Sequence, residues 1–276
     1  MIERVGGESR PPRTITDIQA DAAIIKATDG EDPRFARLMA SHLEDGLVIA
    51  TALRNQEIDV FTGADLIATQ RAKAEKDGII DPMTGLYTKV AFEFRLESEL
   101  ARARRDKSPT AIAYLDLDDF SMVNNEESHE HGHTVLSVLG NILRSDVRAS
   151  DLIGRCGGEE IVVALPNATE EQAKSRLDQI REDLPDKVNQ GIVEHGFTLE
   201  KRITASIGIA EVQFTDPFAG GPTSIDMRKL LEIGDQRMRM AKIMGKNRIV
   251  GSEEEKQFRN NPALMEIGRQ GKYRIH

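Results

Sequence analysis

The sequence predicts an α+β fold with a largely antiparallel sheet of the split βαβ, ferredoxin-like kind. Helical and strand-like segments alternate between residues 89 and 250 in the order helix, strand, helix, hairpin, helix, strand, helix, strand. The apolar run from Ala111 to Leu115 is typical of a strand buried on both faces. The pair Gly157-Gly158 separates two short apolar strands and therefore predicts a hairpin.

Each element is predicted from its own local pattern. Apolar residues at helical spacing predict four helices, and β-rich apolar runs predict the strands between them. The third helix opens with the capping box Thr169-Glu170-Glu171-Gln172, and its apolar positions end at Leu184. The predicted helices are 89–107, 133–147, 169–184 and 226–244, and the predicted strands are 110–117, 152–156, 161–165, 202–212 and 248–250.

The composition excludes several classes of protein. The chain has 276 residues, no Trp, 39% hydrophobic residues and a formal net charge of -9. A net negative surface argues against a general nucleic-acid or anionic-membrane binder. No apolar stretch is long enough to span a bilayer, residues 1–13 lack the apolar run of a signal peptide, and Cys156 is the only cysteine. We therefore expect a cytoplasmic protein.

The chain divides into three predicted regions. Residues 1–80 contain helical patterns at about 32–55 and 64–76, which predict a small helical region with a regulatory or dimerisation role. Residues 81–251 carry the α+β pattern. Residues 252–276 form a polar C-terminal tail, for which the sequence leaves a docked helix and a disordered segment equally open.

Acidic residues follow the buried strand directly, in the run Asp116-Leu117-Asp118-Asp119. A carboxylate at the end of a strand lies at the rim of the sheet, where a ligand can approach. Hard cations such as Mg²⁺ prefer oxygen ligands and often lie between carboxylates and substrate phosphates. The alternative is an acidic turn that only ends the strand.

A second acidic pair, Glu159-Glu160, follows the Gly157-Gly158 pair. Glycines allow a tight turn and let a bulky ligand approach the backbone closely. Alternation along a strand places successive side chains on opposite faces, so one of the two acids could meet Asp116 across neighbouring strands. A polar hairpin without a ligand is the alternative.

Basic residues close the last predicted helix. Lys242 and Lys246 lie one helical turn apart around Gly245. They could neutralise phosphates, or they could simply complement the helix C-terminus.

These motifs together resemble the GGDEF diguanylate cyclase family over about residues 81–251. Asp81-Pro82-Met83-Thr84-Gly85-Leu86 resembles its opening signature, and Gly157-Gly158-Glu159-Glu160-Ile161 is similar to the signature that names it. Further similar segments are Asp116-Leu117-Asp118 with Phe120 and Asn124, Ser206 to Ala210, and Asp235 to Arg248. The resemblance implies a polymerase-palm-like domain that condenses two GTP into cyclic di-GMP and pyrophosphate, with a homodimer needed for catalysis.

The resemblance also implies a role for each matching residue. Asp116, the Leu117 carbonyl, Glu159 and Glu160 would bind Mg²⁺ or Mn²⁺, and Asp116, Glu159 and Glu160 would be catalytic. The substrate GTP would be bound by Asn124 and His133 at the base, by Gly157 and Gly158 at the backbone, and by Lys242 and Lys246 at the phosphates. Arg148 and Asp151 resemble an inhibitory RxxD site that binds cyclic di-GMP.

Three departures from the family pattern leave alternatives open. Ser121 replaces a phosphate-side Lys, Asn125 replaces an Asp, and His133 stands where an Asp accepts from guanine. A neutral His offers one acceptor, whereas a carboxylate can accept from both donors on the guanine edge. The alternatives are a catalytically impaired domain that acts as a cyclic di-GMP receptor, and a cyclase with altered purine selectivity because of His133.

Overall fold

A computed structural model of the chain describes residues 78–212 and 227–270, together with Lys73, Tyr273 and Ile275. The chain divides into two compact units between Ile80 and Asp81. The predicted N-terminal helices lie outside the described residues, apart from Lys73, which is helical. No helix in the described part of the chain combines the length and the apolarity needed to cross a membrane.

A six-stranded mixed sheet forms the centre of the second unit, in the order β1-β3-β4-β2-β5-β6. The inner strands β3, β4, β2 and β5 are antiparallel to one another, which is the predicted ferredoxin-like arrangement. The edge strands β1 and β6 pair in parallel with β3 and β5. The strands are β1 Tyr87–Thr88, β2 Thr110–Leu117, β3 Leu152–Arg155, β4 Glu160–Pro166, β5 Ala205–Val212 and β6 Ile249–Val250.

Helices cover both faces of the sheet, so two apolar cores form. One face of the strands, including Leu115 and Val163, packs with α3 and α4, and the other face, including Ile112 and Val162, packs with α1 and α5. The strands are therefore apolar on both sides, as the run in β2 predicts. The helices are α1 Lys89–Asp106, α2 Phe120–Met122 followed by a π-helical turn Val123–Glu127, α3 His129–Asp146, α4 Glu170–Glu194, α5 Met227–Ile243, α6 Ser252–Arg259 and α7 Pro262–Gln270.

Two helices extend beyond their predicted limits. Helix α3 begins at His129, four residues before the predicted start, because the Ser128 side chain caps it by accepting from the His131 N–H at 3.1 Å. Helix α4 continues past Pro185 to Glu194. Proline removes one helical hydrogen bond, but Leu184, Val188 and Ile192 extend a buried face across it, so packing outweighs the local preference.

The C-terminal segment forms two helices packed against α5. Phe258 of α6 is fully buried in a small apolar cluster with Met240, Ala241 and Val250. Helix α6 begins where the Glu254 carboxylate accepts from the Gly251 N–H at 3.0 Å. Lys174 also binds that carboxylate, which joins α6 to α4. The segment that the sequence leaves undecided is therefore docked on the domain through residue 270.

Candidate functional site

The C-terminal end of β2 lies beside the N-terminal ends of its two neighbours, β4 and β5. Asp116 lies directly opposite Glu160 at the start of β4 and opposite Ser206 near the start of β5. Residues that are directly opposite in an antiparallel ladder project to the same face of the sheet. Glu160 is thus the acid that shares a face with Asp116, and this is the face covered by α1 and α5.

Helix α5 adds a cation to these carboxylates. Lys242 donates to Asp116 Oδ1, and both side chains are nearly inaccessible, at 5% and 11% exposure. Burial raises the pKa of Asp116 to about 6, although Lys242 acts in the opposite direction. Burial also raises the pKa of Glu160, and Asp235 on α5 adds to that effect. These carboxylates therefore lie in a partly dehydrated site, where an additional cation would stabilise their charged forms.

A second cation lies beyond the end of the same helix. Lys246 pairs with Asp119 at 2.5 Å, and this pair is more open, with the two side chains 33% and 50% exposed. The Asp119 hydrogen bond raises the pKa of Lys246, and Tyr273 adds to the effect. The ring of Tyr273 also lies 5.1 Å below the Lys242 ammonium. Tyr273 is therefore close to both lysines.

Asp118 has a structural position that its sequence motif does not reveal. Asp118 is 4% exposed, and its carboxylate accepts from the hydroxyls of Thr204 and Ser206, each at 2.7 Å. It also accepts from the backbone N–H of Asn247 at 2.9 Å. Asp118 thus ties the end of β2 to β5 and to the loop that carries Lys246. Its partners lie far away along the chain, so no local pattern could identify this role.

The two glycines of the β3–β4 turn have different surroundings. A Cβ at Gly157 would collide with the Glu160 carboxylate, which folds back over the turn. A Cβ at Gly158 would meet nothing within 4 Å. The backbone is therefore open to a ligand at Gly158, whereas the space at Gly157 accommodates Glu160. Burial raises the pKa of Cys156, next to the turn, to about 12, which disfavours its thiolate form.

Arg155 links this turn to the opening motif. It donates from Nη2 to the Gly158 carbonyl at 2.7 Å and binds the Asp81 carboxylate at 3.1 Å. Asp81 in turn accepts from both the N–H and the hydroxyl of Thr84, at 2.8 and 2.7 Å. Burial acts to raise the pKa of Asp81, but these partners outweigh it and lower the pKa. The opening motif therefore holds the glycine turn in place.

The predicted base-binding residues lie together at the start of α3. The Asn124 side chain, in the π-helical turn, packs on Gly132, where any Cβ would collide with its Oδ1. His133 is the next residue along α3 and is exposed. The Asn124 amide thus packs on the residue that precedes His133, whose side chain is exposed on α3.

Arg148 and Asp151 differ strongly in accessibility. Arg148 is exposed, whereas the Asp151 side chain is only 1% exposed. Asp151 Oδ2 accepts from the Arg148 N–H at 3.0 Å and pairs with Arg176 of α4 at 2.8 Å, while its buried Oδ1 has no hydrogen-bond partner. Arg176 was not predicted, because its pairing depends on how α4 packs.

The oxygen ligands around Asp116 suit a hard cation, but they do not form a complete metal site. Asp116 and Glu160 supply carboxylate oxygens on one face, and the backbone of Leu117 follows Asp116. Within the described ranges, no group of three or more His, Cys, Asp or Glu side chains is arranged to hold a metal. Lys242 instead compensates the charge of Asp116. Metal binding would therefore require Lys242 to share or release that carboxylate.

Comparison with known proteins identifies the domain. Residues 78–248 match the family model "Diguanylate cyclase, GGDEF domain". The chain belongs to this family. Its mixed sheet and flanking helices also match the GGDEF domain of DgcB from Caulobacter crescentus in complex with c-di-GMP. That match has a TM-score of 0.54 and 23% identity, and it covers 64% of this chain and 97% of the other, so it establishes the palm-like fold.

Two curated relatives illustrate how far the similarity extends. Diguanylate cyclase DgcP of Pseudomonas aeruginosa is 40% identical over 112 residues, or 41% of this chain. Diguanylate cyclase DgcS of Shewanella oneidensis is 26% identical over 193 residues, or 70% of this chain. The matches span only 16% and 59% of the respective relatives. The chain therefore matches only part of each relative, and we take the similarity as evidence about the GGDEF domain alone.

Proposed function

We propose that this chain is a diguanylate cyclase that converts two GTP into cyclic di-GMP and two pyrophosphates. The relatives bearing that name support the proposal. The observation that carries it is the register pair of Asp116 and Glu160, with Lys242 beside it on the same face. Carboxylates for a metal and a cation for phosphate are the groups that phosphoryl transfer requires.

The reaction that we propose joins two domains, each with one bound GTP. The 3′-oxygen of each GTP bonds to the α-phosphorus of the other, the bond from that phosphorus to the leaving pyrophosphate breaks, and the hydroxyl proton passes to water. Asp116, Glu160 and the Leu117 carbonyl would hold Mg²⁺ or Mn²⁺, which supplies positive charge at the reacting phosphate when bound. Glu159 flanks the same turn and would lie close to that metal or to the attacking hydroxyl.

The remaining site residues would bind and orient the nucleotide. Lys242 and Lys246 would neutralise the phosphates, and Gly158 would let them approach the backbone. Asn124 and His133 would contact the base at the start of α3. The exposed Arg148 would bind cyclic di-GMP as an inhibitor. Residues 1–80 would regulate or dimerise the domain, as their predicted helices suggest.

The decisive test is incubation of purified protein with GTP and Mg²⁺ over a range of protein concentrations. We expect cyclic di-GMP and pyrophosphate in a 1:2 ratio, with a specific rate that rises with protein concentration because two domains must meet. The Glu160→Gln variant is the control for contaminating activity. Absence of any dinucleotide at every concentration would reject the proposal.

A further inference from the structure

The approach to Lys242 is covered by the C-terminal segment of the same chain. The Lys242 side chain is 5% exposed, yet the proposed function requires it to contact a phosphate. Its ammonium lies between the Asp116 carboxylate and the ring of Tyr273, whose centroid is 5.1 Å away. Two favourable contacts therefore hold the cation in a position that a phosphate oxygen cannot reach without displacing one of them.

The cover is anchored on the residues that precede Lys242. Met240 and Ala241 pack with the fully buried Phe258 of α6. Beyond α7, the Ile275 N–H donates to the Gly268 carbonyl at 3.0 Å. The Ile275 side chain joins the same apolar cluster. Phe258 and Ile275 thus both pack against the end of α5. Tyr273 lies between them in the sequence and contacts Lys242.

The anchoring is unequal along the segment, which allows the cover to open. Phe258 is buried within α6, whereas Tyr273 and Ile275 are only partly buried and lie beyond the last helix. Segments with few buried apolar contacts open at a lower free energy than the domain as a whole. Tyr273 can therefore leave Lys242 while α6 stays docked.

We propose that Tyr273 is an autoinhibitory cover, which blocks Lys242 until a triphosphate displaces it. The proposal rests on the proposed function, because it takes Lys242 as a phosphate contact. A ligand that binds only the open state also loses affinity in proportion to the closed population. Weakening the cover should therefore strengthen triphosphate binding.

The first experiment measures binding without chemistry. Calorimetry with inorganic tripolyphosphate and Mg²⁺ compares wild type with Tyr273→Ala and with Tyr273→Phe, which keeps the ring. We expect Tyr273→Ala to bind roughly threefold to tenfold more tightly, the range that a lost cation–π contact implies, and Tyr273→Phe to bind like wild type. Equal or weaker binding by Tyr273→Ala, or no binding by any of the three proteins, would overturn the cover.

The second experiment follows the movement of the segment. The chain has no Trp, so Tyr273→Trp places a single indole at the cover. We expect tripolyphosphate with Mg²⁺ to shift its emission to longer wavelength, as the ring leaves the lysine for water, and guanosine to cause no shift. An emission that is unchanged at saturating tripolyphosphate would contradict the proposal. Because neither experiment needs turnover, a positive result with no cyclic di-GMP formed would reject the proposed reaction and leave the cover standing.

Discussion

Asp116 and Glu160 stand directly opposite each other on β2 and β4, so their carboxylates share one face of the sheet. They differ in what surrounds them. Asp116 is paired with the buried Lys242, whereas Glu160 folds over Gly157. We therefore expect the two residues, which share one proposed role in catalysis, to contribute differently to the stability of the fold. Mutating each of them can thus distinguish an effect on catalysis from an effect on folding.

The first prediction concerns these two carboxylates. Glu160→Gln should lower the rate of cyclic di-GMP formation by on the order of a hundredfold or more, because a metal ligand is lost, and should leave thermal unfolding nearly unchanged. Asp116→Asn should lower the rate as well, but it should also destabilise the fold by about 3 kcal/mol, because Lys242 is left buried without its partner.

Product assays, thermal unfolding and urea unfolding on the same preparations test this prediction. Glu97→Gln, which removes an exposed carboxylate of α1, is the matched control and should behave like wild type. Full activity of Glu160→Gln would remove Glu160 from the proposed mechanism, and an unchanged unfolding free energy for Asp116→Asn would show that Lys242 does not depend on that pair.

The second prediction concerns Asp118, whose carboxylate joins β5 and the Lys246 loop to β2. Asp118→Ala leaves the Ser206 hydroxyl and the Asn247 N–H without their acceptor. The free energy of unfolding should fall by about 3 kcal/mol, since each buried unsatisfied group costs roughly 1–3 kcal/mol. Urea denaturation measures the loss. Thr204→Val removes only one of the three donors and should cost less; the prediction is wrong if the two variants are equally stable.

The sequence was sufficient to predict the α+β class and the largely antiparallel sheet. The apolar run of β2 ends at Asp116 and a glycine hairpin precedes Glu159 and Glu160, so local patterns indicate that one of these two acids could meet Asp116. The register shows that it is Glu160. The contacts of Asp118, of Arg176 and of Tyr273 could not be predicted. Each of these contacts joins residues that are far apart in the sequence, and it depends on how the helices pack. Hydrophobic periodicity predicts the helices but not how they pack.

The third prediction is a pH dependence of stability. The pKa of Asp81 is lowered from its ordinary value of 3.8 by Thr84 and Arg155, despite burial. A lowered folded-state pKa means that the stabilisation is complete above 3.8 and is lost as the pH falls through the folded value. Wild type should therefore lose more stability than Asp81→Asn on acidification from about pH 5 to pH 3.

Urea unfolding at several pH values across that interval measures the difference between the two proteins. Asp106→Asn, at the exposed end of α1, is the control, and its stability should follow the wild-type pH dependence. Parallel curves for wild type and Asp81→Asn would show that the Asp81 carboxylate does not contribute to the acid sensitivity of the domain.

The fourth prediction concerns the proposed inhibitory site. Arg148 is exposed and Asp151 is buried against Arg176, so the two should respond differently to mutation. Arg148→Ala should weaken cyclic di-GMP binding at least about tenfold without changing stability, because a charge-assisted contact is lost. Asp151→Asn should instead destabilise the start of β3 and its contact with α4.

Calorimetry and thermal unfolding distinguish the two effects, with Arg102→Ala on α1 as the control. Equal binding by Arg148→Ala and wild type would exclude this site.

The last prediction concerns the purine that the domain selects. His133 is exposed and follows Gly132, on which Asn124 packs, so it is available to a base. One nitrogen of a neutral imidazole can either donate to N1 of adenine or accept from its amino group, whereas a carboxylate can accept from both donors of guanine. With equal ATP and GTP we expect wild type to form some adenine-containing dinucleotide, and His133→Asp to shift the products towards cyclic di-GMP by about tenfold, as one hydrogen bond to a charged group allows.

Chromatography of the products measures the ratio. His129→Asp, which changes an exposed residue one helical turn earlier, controls for the added charge. A ratio that is the same in wild type and His133→Asp would mean that selection depends on other contacts.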